Sequence, residues 1–271
     1  MRRGFDYVLG DAAAEAARLR VQARLWDPVS HALFDRIGVR RGWRVLEVGP
    51  GQGSLHMELR RRVARPVDAV ERSEVFATRL RRLVARDGLG HGTVHVSDLR
   101  DASLPARAYD LIFARWVFLF LPDPLTHIRQ LVRALKPGGH LAIQDYHRDT
   151  FRLLPAPDDD WRAFLAADRA FFAAQGGDAS IGARLPALFA QAGLSLADVT
   201  PTTKTGHPGS PTWRWLTHYM ESVMDRYAAL PPMTSRHGAR LRRHWRALES
   251  EPAALLIAPC VLDVVGTKPR R

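Results

Sequence analysis

The stretch "VLEVGPGQGSLHMEL" (residues 45–59) places three glycines within five positions, directly behind a carboxylate. The valines and the leucine before the turn are β-forming residues, and Leu55 and Leu59 stand four residues apart, which is the spacing of one helix face. Glycine permits a tight turn and a close approach of the backbone to a ligand. The stretch therefore predicts a strand, a turn and a helix, an arrangement that usually holds a ligand at the start of the helix.

Length and composition are typical of a globular protein. The chain has 271 residues, enough for a sizeable core, and 46% of them are hydrophobic. No apolar run reaches membrane-spanning length and the N-terminus lacks the apolar core of a signal peptide, so we expect a cytoplasmic protein. The single cysteine, Cys260, lies in an apolar stretch and is expected to be a buried structural thiol, which leaves no internal disulfide.

The excess of basic over acidic residues has two interpretations. The formal charge is +12, only three of the 40 basic residues are lysines, and arginine runs occur at 60–62, 78–86 and 236–246. Such runs indicate solvated helix faces, which is the interpretation we favour, or a surface for nucleic acid.

Short apolar runs alternate with helical stretches between residues 44 and 145, which predicts a parallel α/β sheet. Two further strands near 195–203 and 260–267 are expected to add an antiparallel edge pair. The fold class is therefore a Rossmann-like, mostly parallel seven-stranded sheet with helices on both faces. The five strands of the parallel part are predicted at 44–48, 66–71, 93–98, 109–116 and 140–146.

The rest of the chain divides around this core. We expect residues 1–40 to form an N-terminal helical segment, with one helix capped by Asp11 and a second over 28–37. Residues 41–271 form the main domain, with helical insertions at about 148–180 and 205–252. Long insertions beyond strand ends commonly cover a binding site.

Three acidic residues indicate which ligand the glycine turn holds. The glycines have the spacing GxGxG, whereas dinucleotide binding uses GxGxxG, and Glu47 stands just before them. Glu71 and Asp98 end the next two strands, at the places where a carboxylate meets ribose hydroxyls or an adenine amino group. S-adenosylmethionine carries an ammonium and a sulfonium and no phosphate, so it fits this set of acids better than NAD does.

Residues 40–146 resemble the class I S-adenosylmethionine-dependent methyltransferases, in the broad group that includes ubiquinone and menaquinone methyltransferases. Weaker similarity extends to segments on either side. One departure is Phe120, because relatives often have histidine near that position. The matching motifs are "VLEVGPGQG" (45–53), "AVERS" (69–73), "VSD" (96–98), "YDLIFARWVFLFLPDP" (109–124) and "LKPGGHLAIQDY" (135–146).

The resemblance implies a cofactor site drawn from the ends of the first four strands, together with two N-terminal residues that fold over the cofactor. Each residue type matches the role that it takes in the family: acids and glycines at the methionine end, acids at the ribose and the adenine. The implied cofactor-binding residues are Tyr7, Gln22, Glu47, Gly49, Gly51, Gly53, Glu71, Arg72, Asp98, Leu99, Ala114 and Arg115.

The implied reaction is in-line displacement at the sulfonium methyl group by an O, N, S or C nucleophile, for which orientation supplies much of the acceleration. Asp145, Tyr146 and His147 follow the fifth strand, and His147 is the candidate catalytic base because its usual pKa suits proton removal. No residue pattern indicates a metal site.

The acceptor is expected to be a small, partly apolar or aromatic molecule, such as a secondary metabolite or a quinone precursor. The insertion at 205–252 is expected to select it through apolar and aromatic side chains. The residues proposed for this cap are Trp213, Trp215, Tyr219 and Met220, with His207, Arg214 and His218 to orient a polar group.

Other functions stay open at this point. The basic balance leaves an RNA or DNA methyltransferase as the alternative, although the Asn/Asp-Pro-Pro-Tyr/Phe clamp of base-amine methylation has no counterpart in "ARWVF" (114–118). A non-catalytic S-adenosylmethionine-binding protein is a second alternative, since methyl transfer requires no fixed catalytic motif. The insertion at 205–252 also leaves a homodimer interface open.

Overall fold

The computed structural model describes residues 13–270, with side chains from Arg20 onward. Ten strands are present in this part of the chain: β1 (Val45–Val48), β2 (Asp68–Glu71), β3 (Val94–Val96), β4 (Tyr109–Arg115), β5 (Leu135–His147), β6 (Arg152–Leu154), β7 (Ser195–Thr202), β8 (Thr205–Gly206), β9 (Leu255–Ile257) and β10 (Cys260–Thr267). Their α-helices are α1 (Ala13–Ile37), α2 (Ser54–Val63), α3 (Glu74–Val84), α4 (Pro124–Ala134), α5 (Asp158–Ala173), α6 (Leu185–Gln191), α7 (Pro211–Tyr227) and α8 (Ser235–Leu248).

The central sheet has seven strands in the order β3-β2-β1-β4-β5-β10-β7. Strands β1 to β5 are parallel, and β10 runs antiparallel to both of its neighbours. The predicted fold class and the antiparallel edge pair are confirmed. A second sheet, in the order β6-β9-β8, was not predicted, because its strands are only two or three residues long and give no alternation to detect.

Helices cover both faces of the central sheet. On one face, α1 and α2 bury Phe34, Leu55 and Leu59 against the sheet residues Val45 and Phe113. On the other face, α4 and α6 pack in the larger core, which also contains the buried aromatic side chains of α5 and α7. Because the parallel strands all point the same way, their carboxyl ends meet at one edge of the sheet, and that edge holds the candidate site.

Two expectations about the flanking segments have different outcomes. The two N-terminal helices are one continuous helix, α1, with Pro28 inside it. A proline costs one intrahelical hydrogen bond, and the burial of Trp26, Leu33 and Phe34 outweighs that loss. Helix α5 lies within the predicted insertion 148–180, and α7 and α8 lie within 205–252. The division into a domain with insertions stays a prediction.

Asp145 holds the chain after β4 against the end of β5. Its Oδ2 accepts a hydrogen bond from the Leu119 N–H at 3.1 Å, and its Oδ1 accepts from the Tyr146 N–H at 2.9 Å. The side chain is fully buried, and this loss of solvation raises the pKa of Asp145 to about 7. The backbone N–H groups favour the ionised carboxylate and offset part of the burial effect.

We predict that Asp145→Ala lowers the free energy of unfolding by about 1–3 kcal/mol, the usual cost of leaving a buried donor unpaired. The loss should be larger at pH 5 than at pH 8. Between pH 4 and 7 the folded wild type holds a proton that the unfolded chain has lost, so this carboxyl adds stability at low pH. Urea unfolding at both pH values measures the difference, with the exposed Asp159→Ala as the control; an equal loss at both would contradict the prediction.

Candidate active site

A cavity of about 860 Å³ opens at the carboxyl edge of the parallel strands. Its wall includes the ends of β1, β2, β4 and β5, together with side chains of α1, α3, α5 and α7. Small-molecule sites usually occupy about 300–1,000 Å³, so this cavity lies near the upper end of that range.

The glycine turn forms the floor of the cavity. Gly49, Gly51 and Gly53 all have positive φ angles, of 70°, 52° and 85°. A Cβ on Gly49 would lie 2.6 Å from Cγ2 of Val117, so only glycine allows the segment after β4 to approach the turn this closely. Gly53 is the N-cap of α2, which brings the helix N-terminus to the cavity.

Glu71 connects the end of β2 to the same turn. Its Oε2 accepts from the Gly51 N–H at 3.1 Å, and its Oε1 accepts from the Ser73 N–H at 2.8 Å. Burial raises the pKa of Glu71, and the two N–H donors work against that rise. Arg72 lines the cavity beside it.

Glu47 has a buried partner that the sequence analysis did not single out. The Nδ1 of His56 lies 3.0 Å from Glu47 Oε2, and His56 is fully buried. The Nε2 of His56 is without a hydrogen-bond partner among the described residues. The carboxylate fixes the tautomer with a proton on Nδ1 if the ring is neutral. A histidine between Leu55 and Leu59 on the buried face of α2 was the signal available in the sequence.

Asp98 and Leu99 lie where the third strand was predicted to end, and both line the cavity. The Asp98 carboxylate accepts from the Arg100 N–H at 3.0 Å, which caps the short turn that follows. Leu99 is buried, and its carbonyl accepts from the Gln130 amide at 2.9 Å. This side of the cavity is therefore held in place by backbone and side-chain hydrogen bonds.

The remaining predicted cofactor residues have different positions. Gln22 of α1 is buried and lines the cavity. Arg115 also lines it, but its guanidinium donates to Asp27 Oδ1 at 2.7 Å and to Ser30 Oγ at 2.9 Å, which fixes it against α1. Ala114 is fully buried within the sheet and does not line the cavity. Tyr7 lies outside the described residues.

His147 is not brought to the cavity. Its side chain is about one-third exposed, and its Nδ1 lies 4.0 Å from Asp149 Oδ2. Successive side chains of a strand point in opposite directions, so Tyr146 faces the cavity and His147, the last residue of β5, faces away. Arg148, the first residue after the strand, lines the cavity. The side chain of the candidate base therefore points away from the cavity. No other histidine lines the described cavity wall.

Aromatic side chains form the half of the cavity that lies beyond the glycine turn. Trp116, whose φ of 55° turns the chain sharply after β4, stacks on Tyr146 with ring centroids 5.4 Å apart. Phe120 packs against Phe172 at 5.5 Å. The aromatic residues that line the cavity are Phe76, Trp116, Phe120, Tyr146, Phe172, Trp215 and Tyr219.

Helix α7 supplies only part of the cap that was expected from it. Trp215, Leu216 and Tyr219 line the cavity, whereas Trp213 packs on Trp245 with centroids 4.8 Å apart. Met220 is buried away from the cavity. The polar residues expected to orient the acceptor are all exposed: His207, Arg214 and His218. The helical period places Arg214 and His218 opposite the lining face of α7, and His207 lies before the helix begins.

A hydrogen-bonded cluster ties this cap to β5. Arg148 donates from Nε and Nη2 to the two carboxylate oxygens of Asp168 on α5, both at 2.8 Å. The hydroxyls of Tyr219 and Tyr227 on α7 donate to Asp168 Oδ1 at 2.6 and 2.8 Å. All four residues are buried. Burial and the neighbouring carboxylate raise the pKa of both tyrosines, which keeps them neutral.

Within residues 13–270, no helix is long and apolar enough to cross a membrane. The same residues contain no group of three or more histidine, cysteine, aspartate or glutamate side chains arranged to hold a metal ion. Cys260 is free and buried, as predicted.

Comparison with known proteins places the domain. Residues 46–143 match the model of the methyltransferase domain family. The trans-aconitate 2-methyltransferase of Azoarcus sp. is 37% identical over 128 residues, which are 46% of this chain and 48% of that enzyme. The methyltransferase GfsG of Streptomyces halstedii is 27% identical over 82% of this chain and 75% of its own.

Solved structures share the fold. Phosphoethanolamine N-methyltransferase 2 of Haemonchus contortus, in complex with phosphomonomethylethanolamine and S-adenosylhomocysteine, superposes with a TM-score of 0.56 at 17% identity. That match covers 90% of this chain and 53% of the other. The match to the Azoarcus enzyme spans about half the length of that curated relative. With the domain match over residues 46–143 and the shared fold, the chain is similar to known methyltransferases.

Proposed function

We propose that this protein transfers the methyl group of S-adenosylmethionine to a small, partly apolar or aromatic molecule, by O-, N- or C-methylation. The observation that carries the proposal is one continuous cavity with two chemically different halves. Acids and glycine backbone line one half, and aromatic side chains line the other. A charged cofactor and a planar acceptor would meet between them, at Trp116 and Val117.

The cofactor roles follow from the positions of the lining residues. Glu47 and the glycine turn would hold the ammonium end of the methionine, because a buried carboxylate needs a compensating cation. Glu71, with Arg72 beside it, would accept hydrogen bonds from the ribose hydroxyls, and Asp98 would accept from the adenine amino group. The complete proposed set adds Gln22, Gly49, Gly51, Gly53, Leu99 and Arg115.

The chemical step needs little from the chain beyond positioning. The sulfonium activates its own methyl group, so holding the acceptor atom in line with the leaving group supplies up to about 7–11 kcal/mol. Since His147 faces away from the cavity, the residues at hand orient the acceptor and exclude water, without a histidine base. Acceptors that attack before losing a proton, and release it to solvent afterwards, suit such a site.

The arginine runs favour a small acceptor over nucleic acid. Within the described chain many of these arginines pair with carboxylates, as Arg62 does with Glu58 and Arg240 with Asp160. Arg60, expected on a solvated face, is fully buried and donates to Asp87. Arginines paired in this way contribute less positive charge to binding the phosphate backbone of a nucleic acid. We also infer a cytoplasmic location, and a homodimer stays a prediction.

The cofactor proposal predicts that S-adenosylhomocysteine binds and that NAD does not. Glu71→Ala should weaken this binding by about 1–3 kcal/mol, because the ribose donors and the Gly51 N–H lose their acceptor. Affinity in the wild type should fall as the pH drops through the raised pKa of Glu71, from a higher pH than for an ordinary glutamate. Calorimetry measures both effects. The exposed Glu74→Ala, on the next helix, is the control, and equal affinity in the two variants would contradict the assignment.

The cap proposal predicts different effects for two tryptophans of α7. Trp213 and Trp215 are 2% and 3% exposed, so truncation of either to alanine should lower the free energy of unfolding by a similar amount, about 3–5 kcal/mol. Only Trp215→Ala should change which molecules are methylated, since only Trp215 lines the cavity. The measurement is methyl transfer to a fixed panel of phenols, amines and carboxylic acids, at a temperature where both variants are folded. A changed product pattern in Trp213→Ala alone would refute the cap.

The small-acceptor proposal predicts weak binding to duplex DNA or RNA that collapses as salt is raised, with dissociation constants in the non-specific range of about 10⁻⁴–10⁻⁶ M. Fluorescence anisotropy with labelled duplexes at 50 and 150 mM salt tests this. Sub-micromolar binding at 150 mM, with a preference among sequences, would favour the nucleic-acid alternative.

A further inference from the structure

Arg148 is a buried cation in the aromatic half of the cavity. It is 6% exposed and lines the cavity together with Tyr146, Phe172 and Tyr219. Its guanidinium lies 5.3 Å, 5.6 Å and 4.8 Å from the centroids of those three rings. A planar cation enclosed by aromatic rings forms one side of a slot that suits a flat molecule.

One nitrogen of the Arg148 guanidinium, Nη1, is available as a hydrogen-bond donor. Nε and Nη2 are used on Asp168, and Nη2 also donates to the Tyr219 hydroxyl at 2.6 Å. Nη1 makes no hydrogen bond to any described residue, and it is not among the polar atoms sealed inside the protein. Its two N–H groups are therefore free to donate to a molecule in the cavity.

The charge of Arg148 is already compensated. Asp168 contacts it through both carboxylate oxygens, which is the bidentate geometry of a strong ion pair. Tyr219 and Tyr227 face the same carboxylate as neutral donors, and Tyr146 and Phe172 carry no charge. Arg115, whose guanidinium lies 4.6 Å from the centroid of the Trp116 ring, also has a carboxylate partner, Asp27, at 2.7 Å. Arg148 thus offers hydrogen bonds to the acceptor half without adding net positive charge to it.

We propose that the methyl acceptor is an uncharged aromatic or conjugated molecule, one of whose oxygens accepts a hydrogen bond from Nη1 of Arg148, and that the Arg148–Asp168 pair selects against carboxylates. This inference rests on the proposed function. A carboxylate in this half would be a second anion beside a cation that Asp168 has already neutralised. Most of the free energy of desolvating that carboxylate would therefore not be offset. A hydroxyl or carbonyl oxygen gains the hydrogen bond at a much smaller desolvation cost.

Two matched probes test the proposal: 2-naphthol, which is uncharged at pH 7.5, and 2-naphthoate, which has the same rings and a carboxylate. Calorimetry is done on the full chain saturated with S-adenosylhomocysteine. We expect the wild type to bind 2-naphthol at least about tenfold more tightly than 2-naphthoate. Asp168→Asn keeps an acceptor for the tyrosines but leaves Arg148 uncompensated, so the ratio of the two affinities should shift at least about tenfold toward 2-naphthoate.

Asp159→Asn is the matched control, because Asp159 lies on the same helix, is exposed and has Arg162 as its ion-pair partner among the described side chains. It should leave the ratio unchanged. A purely structural role for the pair would weaken both probes together in Asp168→Asn. The wild-type ratio stands without any variant, so it decides the matter if Asp168→Asn does not fold. A wild type that prefers 2-naphthoate, or binds neither probe, would overturn the inference, whereas failure to bind S-adenosylhomocysteine would overturn the proposed function itself.

Discussion

The hydrogen bonds that Glu71 accepts from Gly51 and Ser73 fix the geometry on which the site depends. They hold the end of β2 against the glycine turn, and the turn in turn sets the start of α2 and the approach of Val117. The chain pays for this by burying a carboxylate, which raises the pKa of Glu71. A buried acceptor with remaining lone pairs is an unfavourable arrangement in isolation, and it becomes favourable when a ligand supplies the missing donors.

The sequence was sufficient for the sheet and for the cofactor half because both depend on local patterns. Strand length, glycine spacing and an acid at a strand end are read over a few residues, and parallel strands bring their carboxyl ends together by topology alone. Glu47, Glu71 and Asp98, far apart along the chain, therefore line one cavity. The exception is Ala114, which lies one position inside the strand end and is fully buried in the larger hydrophobic core.

The acceptor half was harder to predict, because the positions of its side chains depend on which face of a strand or helix each residue occupies and on contacts between residues far apart in sequence. At the end of β5, His147 faces away from the cavity, whereas Arg148, the next residue along the chain, lines it. The helical period of α7 likewise puts Trp215 in the cavity wall and Trp213 against Trp245. The bond between Arg148 and Asp168 joins residues 20 apart that no local pattern pairs. Pro28 inside α1 shows the same limit, since tertiary packing overrides a local helix breaker.

The two halves of the cavity differ in how their buried charges are compensated, and this difference distinguishes the cofactor side from the acceptor side. In the cofactor half, the hydrogen-bond partners of the buried Glu47 and Glu71 within the described chain include a histidine and backbone N–H groups, so the two carboxylates complement a cationic, hydroxyl-bearing ligand. In the acceptor half, Arg148 is buried with its own carboxylate, so that region is polar but neutral. The methyl group would therefore move from the side that stabilises positive charge to the side that does not. With an uncharged acceptor, the positive charge of the sulfonium would pass to the acceptor and leave the site with the proton that the acceptor releases to solvent, so no net charge would stay in the acceptor half.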